Sequence, residues 1–215
     1  MRDKSNGGAA RVGVYIDGYN LYYALRKLGG RRYLWLDLAG LAARLLHGDQ
    51  VLEAVYYFTA PVRRDPASVA RQRRYLAALR CGGVLRIVLG RFLELRMQCR
   101  DCGAGWRTYE EKQTDVAIAT AMVADVALGR VDVVLLISAD SDLCAAVRTL
   151  REIDAHRGTK TRVVAVFPPG KGSDQLRRVA DAWFPLGEAV IRGSQLPDVV
   201  QDRNGASYHR PSYWN

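Results

Sequence analysis

Short apolar runs alternate with longer stretches of helical periodicity along most of the chain. The apolar runs predict five strands, near residues 12–16, 51–58, 84–89, 131–137 and 163–167. Apolar residues at intervals of three and four predict helices at about 19–28, 37–47, 65–81, 115–129, 141–156 and 174–182. This alternation is typical of a mostly parallel sheet with helices on both faces. The pattern therefore predicts an α/β fold of three layers, with about five strands.

The two ends of the chain lack this periodicity. Residues 1–11 and about 194–215 are rich in Gly, Ser, Asn and Pro, so we expect a disordered N-terminus and a flexible C-terminal tail around one domain of residues 12–193. A chain of 215 residues with 49% hydrophobic content can bury one sizeable core. No apolar run approaches the ~20 residues that cross a bilayer, and the polar start leads into no signal-peptide core. The expected location is the cytoplasm, away from membranes.

The charge of the chain points to a polyanionic partner. The formal net charge is +10, and the isoelectric point is near 9.7. Lysine and arginine neutralise phosphates and release counterions, and arginine, which far outnumbers lysine here, suits bidentate phosphate contacts. The alternative is a basic surface that is merely well solvated.

Two of the predicted strands end in acidic residues. The run at 12–16 leads into Asp17 and Asn20, and the run at 131–137 leads into a segment that contains Ser138, Asp140, Ser141 and Asp142. The carboxyl ends of parallel strands line the crevice where ligands bind, so these segments could meet. Asp115 is at the start of the predicted helix that precedes the strand at 131–137. Taken singly, each aspartate has a simpler explanation as a cap or first-turn residue.

Together, these aspartates predict a metal site. Two unit charges about 4 Å apart repel by roughly 4 kcal/mol at an effective dielectric near 20, so crowded carboxylates need a cation. Oxygen ligands suit one or two Mg²⁺ or Mn²⁺ ions, which can activate water and stabilise the charge of an attacked phosphodiester. Asn20, Ser138 and Ser141 would orient the carboxylates or contact a phosphate. The alternative is that these three are turn, cap or strand-end residues.

The same segments resemble a known family. The matching stretches are Val14-Tyr15-Ile16-Asp17-Gly18-Tyr19-Asn20-Leu21, Glu110-Glu111-Lys112-Gln113-Thr114-Asp115-Val116-Ala117 and Ile137-Ser138-Ala139-Asp140-Ser141-Asp142-Leu143. They resemble the NYN domain of the PIN-like ribonuclease superfamily, with the LabA-like bacterial proteins as the nearest branch, over about residues 12–197. Ala139 departs from the family, which commonly has glycine there.

The resemblance implies a PIN-like, Rossmann-like fold, an acidic metal site and cleavage of RNA. Carried over by position, the metal-binding and catalytic acids would be Asp17, Asp115, Asp140 and Asp142, with Asn20 beside them. Glu111 and Lys112 could point into the site as an extra ligand or a phosphate contact, or they could form an exposed charge pair.

A basic segment at the start of the third predicted helix follows the carboxyl end of the second strand. Its arginines are Arg63, Arg64, Arg71, Arg73 and Arg74. They should lie on the same rim as Asp17 and could hold an RNA backbone, although charged helix faces are often only solvated. Tyr19 could stack on a base, although such tyrosines more often belong to a core.

Cys99 and Cys102 form a zinc-knuckle-like turn within a hairpin predicted at residues 96–109. A closed structural zinc site needs four ligands. Cys81 and a histidine could supply the others, or a second copy of the chain could do so in a homodimer. A disulfide is disfavoured in a reducing cytoplasm.

The sequence therefore predicts a divalent-metal-dependent ribonuclease. Two alternatives stay open. One is a catalytically silent RNA-binding or regulatory module with a protein partner, and the other is a phosphatase for small nucleotides.

Overall fold

The computed structural model describes residues 8–62 and 65–214, with the backbone alone at 92–95 and 107–112. Its strands are β1 (Arg11–Asp17), β2 (Val51–Thr59), β3 (Leu85–Leu89), β4 (Arg91–Gln98), β5 (Gly105–Lys112), β6 (Val133–Ile137), β7 (Arg162–Phe167), β8 (Ala182–Pro185), β9 (Val199–Gln201) and β10 (Ser207–His209). Its α-helices are α1 (Gly18–Gly29), α2 (Leu38–Arg44), α3 (Pro66–Arg80), α4 (Thr114–Ala127), α5 (Cys144–Arg157), α6 (Asp174–Val179) and α7 (Glu188–Gly193), with 3₁₀ turns at Ser141–Leu143 and Ser212–Trp214.

A six-stranded parallel sheet organises the molecule. Its strand order is β3–β2–β1–β6–β7–β8. β1 lies between β2 and β6, and Ile16 of β1 pairs with Ile137 of β6. The two acidic segments that follow these strands therefore begin side by side. The predicted α/β fold with a mostly parallel sheet is confirmed.

The sixth strand, β8, was not predicted. The sequence pattern predicted a helix over 174–182, but α6 ends at Val179, and Ala180 is already extended at φ −78° and ψ 152°. Ala182–Pro185 then pairs with β7. Short apolar runs are ambiguous between helix and strand, and here pairing with a neighbouring strand decides the outcome.

Apolar side chains cover the central strands on both faces. In β1, Val12, Val14 and Ile16 point into the core beneath α1, α2 and α3. Tyr15 points to the other face, against α4 and α5, where it stacks on Tyr56 with ring centroids 5.3 Å apart. A parallel sheet buried on both faces presents one edge of strand ends to ligands. No helix in the described part of the chain has the length and apolar character needed to span a membrane.

The chain termini differ from the sequence expectation. Of the N-terminal segment expected to be disordered, residues 1–7 lie outside the described residues, and Arg11 already belongs to β1. The C-terminal tail, expected to be flexible, instead forms the β9–β10 hairpin and a 3₁₀ turn. Trp214 is 6% exposed and packs edge-on against Trp35 and Tyr75. A single buried aromatic residue such as Trp214 produces no periodic pattern, so its burial could not be predicted from the sequence.

Strands β4 and β5 form an antiparallel hairpin outside the main sheet. The hairpin is longer than the predicted 96–109 segment. Its tip is a tight turn in which the Cys99 backbone N–H donates to the Ala104 carbonyl over 2.8 Å. This hairpin joins β3 to α4 and so precedes Asp115 in the chain.

Candidate active site

Asp17 ends β1 and caps the N-terminus of α1. Its Oδ1 accepts a hydrogen bond from the Asn20 backbone N–H at 2.9 Å, and its Oδ2 accepts one from the Ser138 hydroxyl at 2.7 Å. The residue is only 3% exposed. Burial raises the pKa of the Asp17 carboxyl, although these two hydrogen bonds oppose the effect.

Glycine follows Asp17 because the backbone of β2 is too close for a side chain. A Cβ on Gly18 would lie 2.4 Å from the Phe58 carbonyl oxygen. The turn from β1 into α1 therefore packs directly on β2. This contact fixes the point at which Asp17 leaves the sheet.

The second acidic segment begins with Ser138, which is completely buried. The Asp140 backbone N–H donates to the Ser138 hydroxyl oxygen at 3.0 Å, and Asp140 Oδ1 accepts from the Asp142 backbone N–H at 2.9 Å. Asp140 is half-buried, whereas Asp142 is exposed. Ser141 begins the 3₁₀ turn between them.

Asp115 lies in the first turn of α4. The preceding Gln113 has a left-handed backbone, with φ 80° and ψ −13°, at the start of that helix. Desolvation, followed by the charges of Asp140, Asp17 and Asp142, raises the pKa of Asp115 to about 6. The structure therefore brings all four predicted aspartates into one electrostatic environment.

Lys171 is a site residue that the sequence reasoning missed. It lies in the turn after β7, where its backbone N–H donates to the Pro168 carbonyl at 3.0 Å. Its positive charge lowers the pKa of Asp17, against the effect of burial. The rule that selected Asp17 and Asp140 could have found it, because Lys171 also follows a strand of the parallel sheet.

Carboxylate and amide oxygens are the kinds of ligand that a hard divalent cation prefers. Four carboxylates share this edge of the sheet, and the buried Asn20 Oδ1 accepts no hydrogen bond from any described group. In the described ranges, no group of three or more His, Cys, Asp or Glu side chains is placed to hold a metal ion. Mg²⁺ usually binds through only one or two carboxylates and completes its shell with water and phosphate oxygens.

The other predicted site residues are spread more widely. Arg63 and Arg64 lie outside the described residues, as do the side chains of Glu111 and Lys112. Arg71, Arg73 and Arg74 belong to α3, and the last two are exposed. Tyr19 follows Gly18 in α1, where its ring lies 5.4 Å from that of Tyr23.

The cysteine pair at the hairpin tip is reduced. Cys99 and Cys102 are both free thiols. Hydrogen bonds from the backbone N–H groups of Cys102 and Asp101 lower the pKa of the Cys99 thiol. Within residues 8–62 and 65–214, no third or fourth ligand joins this pair to form a metal-binding group. Zinc binding there stays a prediction.

Comparison with known proteins identifies the family of this chain. The family model of the NYN domain matches residues 11–187. The chain belongs to the NYN family. This family is nuclease-like, typically metal-dependent and associated with RNA binding. Membership in the LabA-like branch, a homodimer and a regulatory protein partner stay predictions.

Two proteins that are similar to this NYN protein are informative. The chain is 31% identical to 6-hydroxy-3-succinoylpyridine 3-monooxygenase HspA of Pseudomonas putida, over 100% of this chain and 78% of HspA. A crystal structure of a Vibrio parahaemolyticus protein of unknown function superposes with a TM-score of 0.55 at 20% identity, covering 87% of this chain and 98% of that one. The second similarity supports the fold alone.

Proposed function

We propose that this NYN protein is a divalent-metal-dependent ribonuclease that hydrolyses RNA phosphodiester bonds. The observation that carries the proposal is the grouping of four aspartates at one edge of the sheet, where desolvation and the charges of the other three acids raise the pKa of Asp115 to about 6. A fold gains no stability from such repulsion unless a cation relieves it. The net charge of +10 and the nuclease-like family support a polyanionic substrate.

We assign each acid a role from its position. Asp17 and Asp140 would hold the principal Mg²⁺ or Mn²⁺ ion, and Asp115 and Asp142 would complete or tune the site. A bound ion would supply an activated water and neutralise the charge that develops on the attacked phosphate. Asn20 Oδ1 offers one more oxygen close to Asp17, to an ion or its water.

The residues around the acids would position them and the substrate. Ser138 holds Asp17 and the Asp140 backbone in fixed relation through its hydroxyl group. Lys171 places a positive charge near Asp17, where it could contact a substrate phosphate. Arg73 and Arg74 are exposed on α3, which follows β2, and could contact the RNA backbone.

The test is cleavage of end-labelled single-stranded and structured RNAs with Mn²⁺, Mg²⁺ or EDTA. Asp140→Asn should lower the cleavage rate by more than about 100-fold. Replacing a residue that only hydrogen-bonds to a metal ligand lowers activity by up to about 100-fold, and loss of a ligand itself should have a larger effect. Asp49→Asn changes an exposed carboxylate in a loop outside the site and should cleave normally. Undiminished cleavage by Asp140→Asn would overturn the assignment. RNA binding without cleavage, equal in both proteins and independent of metal, would favour a catalytically silent RNA-binding module.

The similarity to HspA favours a second candidate function. HspA is named a monooxygenase of 6-hydroxy-3-succinoylpyridine, and the match extends along the whole chain. A monooxygenase reaction transfers one oxygen atom of O₂ to the substrate and reduces the other to water, with two electrons from a donor such as a reduced nicotinamide and two protons. The test is oxygen uptake with 6-hydroxy-3-succinoylpyridine, NADH and added flavin. Uptake no faster than without protein would exclude this candidate.

A further inference from the structure

A pocket of about 350 Å³ opens next to the acidic site. Gly18, the neighbour of Asp17, lies in its wall, together with residues from α1, the end of β2 and α3. The pocket is built largely from aromatic rings, which are those of Tyr19, Tyr22, Tyr23, Tyr57, Tyr75 and Trp214. None of the four site aspartates lines it. Its volume falls in the range of small-molecule pockets, roughly 300–1,000 Å³.

The rings from α1 present exposed faces and edges at the pocket. Tyr22 and Tyr23 are 40% and 51% exposed, and their rings meet edge to face at 5.3 Å. A second group of rings comes from α3 and the end of the chain, where Tyr75 and Trp214 lie 6.3 Å apart. Aromatic side chains of this kind stack on flat ligand rings, whether nucleobases or other heteroaromatics.

Three arginines give the pocket a positive charge. Arg26, Arg31 and Arg71 line it, against a single acid, Asp65. Asp65 is already used as the cap of α3, where it accepts the Ser68 backbone N–H at 2.7 Å. Among the described residues, no carboxylate lies within 4.0 Å of any of the three guanidinium groups. None of the three guanidinium groups therefore forms an ion pair within 4.0 Å among the described residues, although the charge of Arg71 contributes to lowering the pKa of Asp65.

The arrangement of two of these arginines suits an anion. The guanidinium carbons of Arg31 and Arg71 lie 5.3 and 5.9 Å from the centroid of the Tyr213 ring. A guanidinium carries five N–H donors, so one that lies over an aromatic ring still has N–H groups for a carboxylate or phosphate. Arg71 uses one of these groups on the Ser68 hydroxyl. Tyr213 near the C-terminus thus contacts two of the three arginines of the pocket, Arg31 and Arg71.

We propose that this pocket binds a flat aromatic ring that carries an anionic group. The ring would contact the tyrosines of α1, and Arg31 and Arg71 would bind the anion. Two sources have this chemistry: a nucleotide unit of RNA, with its base and phosphate, and a free aromatic carboxylate. The proposal goes beyond the proposed function because it involves neither the four acids nor a metal ion.

The test is calorimetric titration of the full chain in EDTA with uridine 5′-monophosphate and, separately, with 6-hydroxynicotinate. Inorganic phosphate and cyclohexanecarboxylate serve as controls without an aromatic ring. At least one aromatic anion should bind about tenfold tighter than both controls, since stacking on an aromatic side chain contributes roughly 1–3 kcal/mol per base. Arg31→Gln and Arg71→Gln should each weaken that binding about tenfold, as expected for loss of a charge-assisted hydrogen bond.

A matched control separates the pocket from general charge effects. Arg80→Gln removes an exposed arginine of the same helix as Arg71 but outside the pocket, and it should bind like the wild type. Binding of only the nucleotide would assign the pocket to RNA, and binding of only 6-hydroxynicotinate would assign it to a free aromatic acid. The proposal is overturned if neither aromatic anion binds saturably, if phosphate binds equally well, or if Arg31→Gln and Arg71→Gln leave the affinity unchanged. Because EDTA is present throughout, a failure of RNA cleavage leaves these results unaffected.

Discussion

The Ser138 hydroxyl group donates a 2.7 Å hydrogen bond to Asp17 Oδ2 and so joins two residues that are 121 positions apart in the chain. The same hydroxyl oxygen accepts the backbone N–H of Asp140 at 3.0 Å. One small buried side chain therefore sets the position of the first acid relative to the loop that carries Asp140 and Asp142. This contact depends on β1 and β6 being neighbours in the sheet.

We expect Ser138→Ala to destabilise the protein by about 1–3 kcal/mol at pH 7, because Asp17 Oδ2 would lose its donor inside the protein. Loss of this hydrogen bond should also raise the pKa of Asp17 further. Urea unfolding measures the first effect. Ser207→Ala, at an exposed position of β10, should leave the unfolding midpoint in place. An equal midpoint for Ser138→Ala and the wild type would show that the hydrogen bond contributes little.

The raised pKa of Asp115, caused first by burial and then by the charges of the neighbouring acids, makes stability depend on pH. The pKa of Asp115 is about 6 in the folded protein, above its ordinary value of 3.8, so the folded state binds the proton more tightly than the unfolded state does. Its contribution therefore lowers stability progressively as pH rises from about 4 to 6, and the loss persists above that range. In EDTA, Asp115→Asn should be more stable than the wild type at pH 8, and the difference should vanish near pH 4. Thermal unfolding between pH 4 and pH 8 measures this stability difference, with Asp49→Asn as the control. A difference that does not change with pH would contradict the raised pKa of Asp115.

Divalent metal should stabilise the folded protein at this site. A ligand at 100 times its Kd adds about 2.7 kcal/mol to the free energy of unfolding. We expect Mn²⁺ to raise the melting temperature of the wild type and to have a much smaller effect on Asp140→Asn. Differential scanning fluorimetry with Mn²⁺ and EDTA provides the comparison without any activity. An equal shift for both proteins would mean that the ion binds elsewhere.

Lys171 should lower the pKa of Asp17 and so shift the pH dependence of cleavage. Lys171→Gln removes the nearby positive charge that opposes the raised pKa of Asp17, so the carboxyl should ionise at higher pH. We expect the acidic limb of the pH–rate profile for RNA cleavage to move to higher pH in this variant. Lys160→Gln, an exposed lysine after α5, should leave the profile unchanged. A uniform loss of rate at every pH would instead indicate that Lys171 acts on the substrate alone.

The C-terminal anchor should contribute strongly to stability. Trp214 is 6% exposed and contacts Trp35 and Tyr75, so Trp214→Ala should cost about 3–5 kcal/mol. Trp106, in the hairpin, is 51% exposed, and its replacement by alanine should have little effect. Guanidinium unfolding of both variants tests the contrast. Comparable losses of unfolding free energy for the two variants would contradict the anchoring of the C-terminus and support the flexible tail that the sequence predicted.

Several elements could be predicted because their signals are local. Apolar runs marked β1, β2, β3, β6 and β7, and their ends pointed to Asp17, Asp140 and Asp142. The strand β8 was missed because it follows the short helix α6 without a turn signal and forms only by pairing with β7. Lys171 was missed because a single lysine after a strand carries no motif, although its charge acts directly on Asp17.

The sequence by itself determined the fold class and which acids leave the sheet at one edge, because side-chain periodicity and strand ends are properties of neighbouring residues. Only the tertiary structure decided that Ser138 holds Asp17, that Asp115 shares the field of the other acids, and that Trp214 closes a pocket of tyrosines and arginines. Hydrogen bonds, desolvation and Coulomb interactions depend on distance through space, and the packing of β1 between β2 and β6 sets those distances.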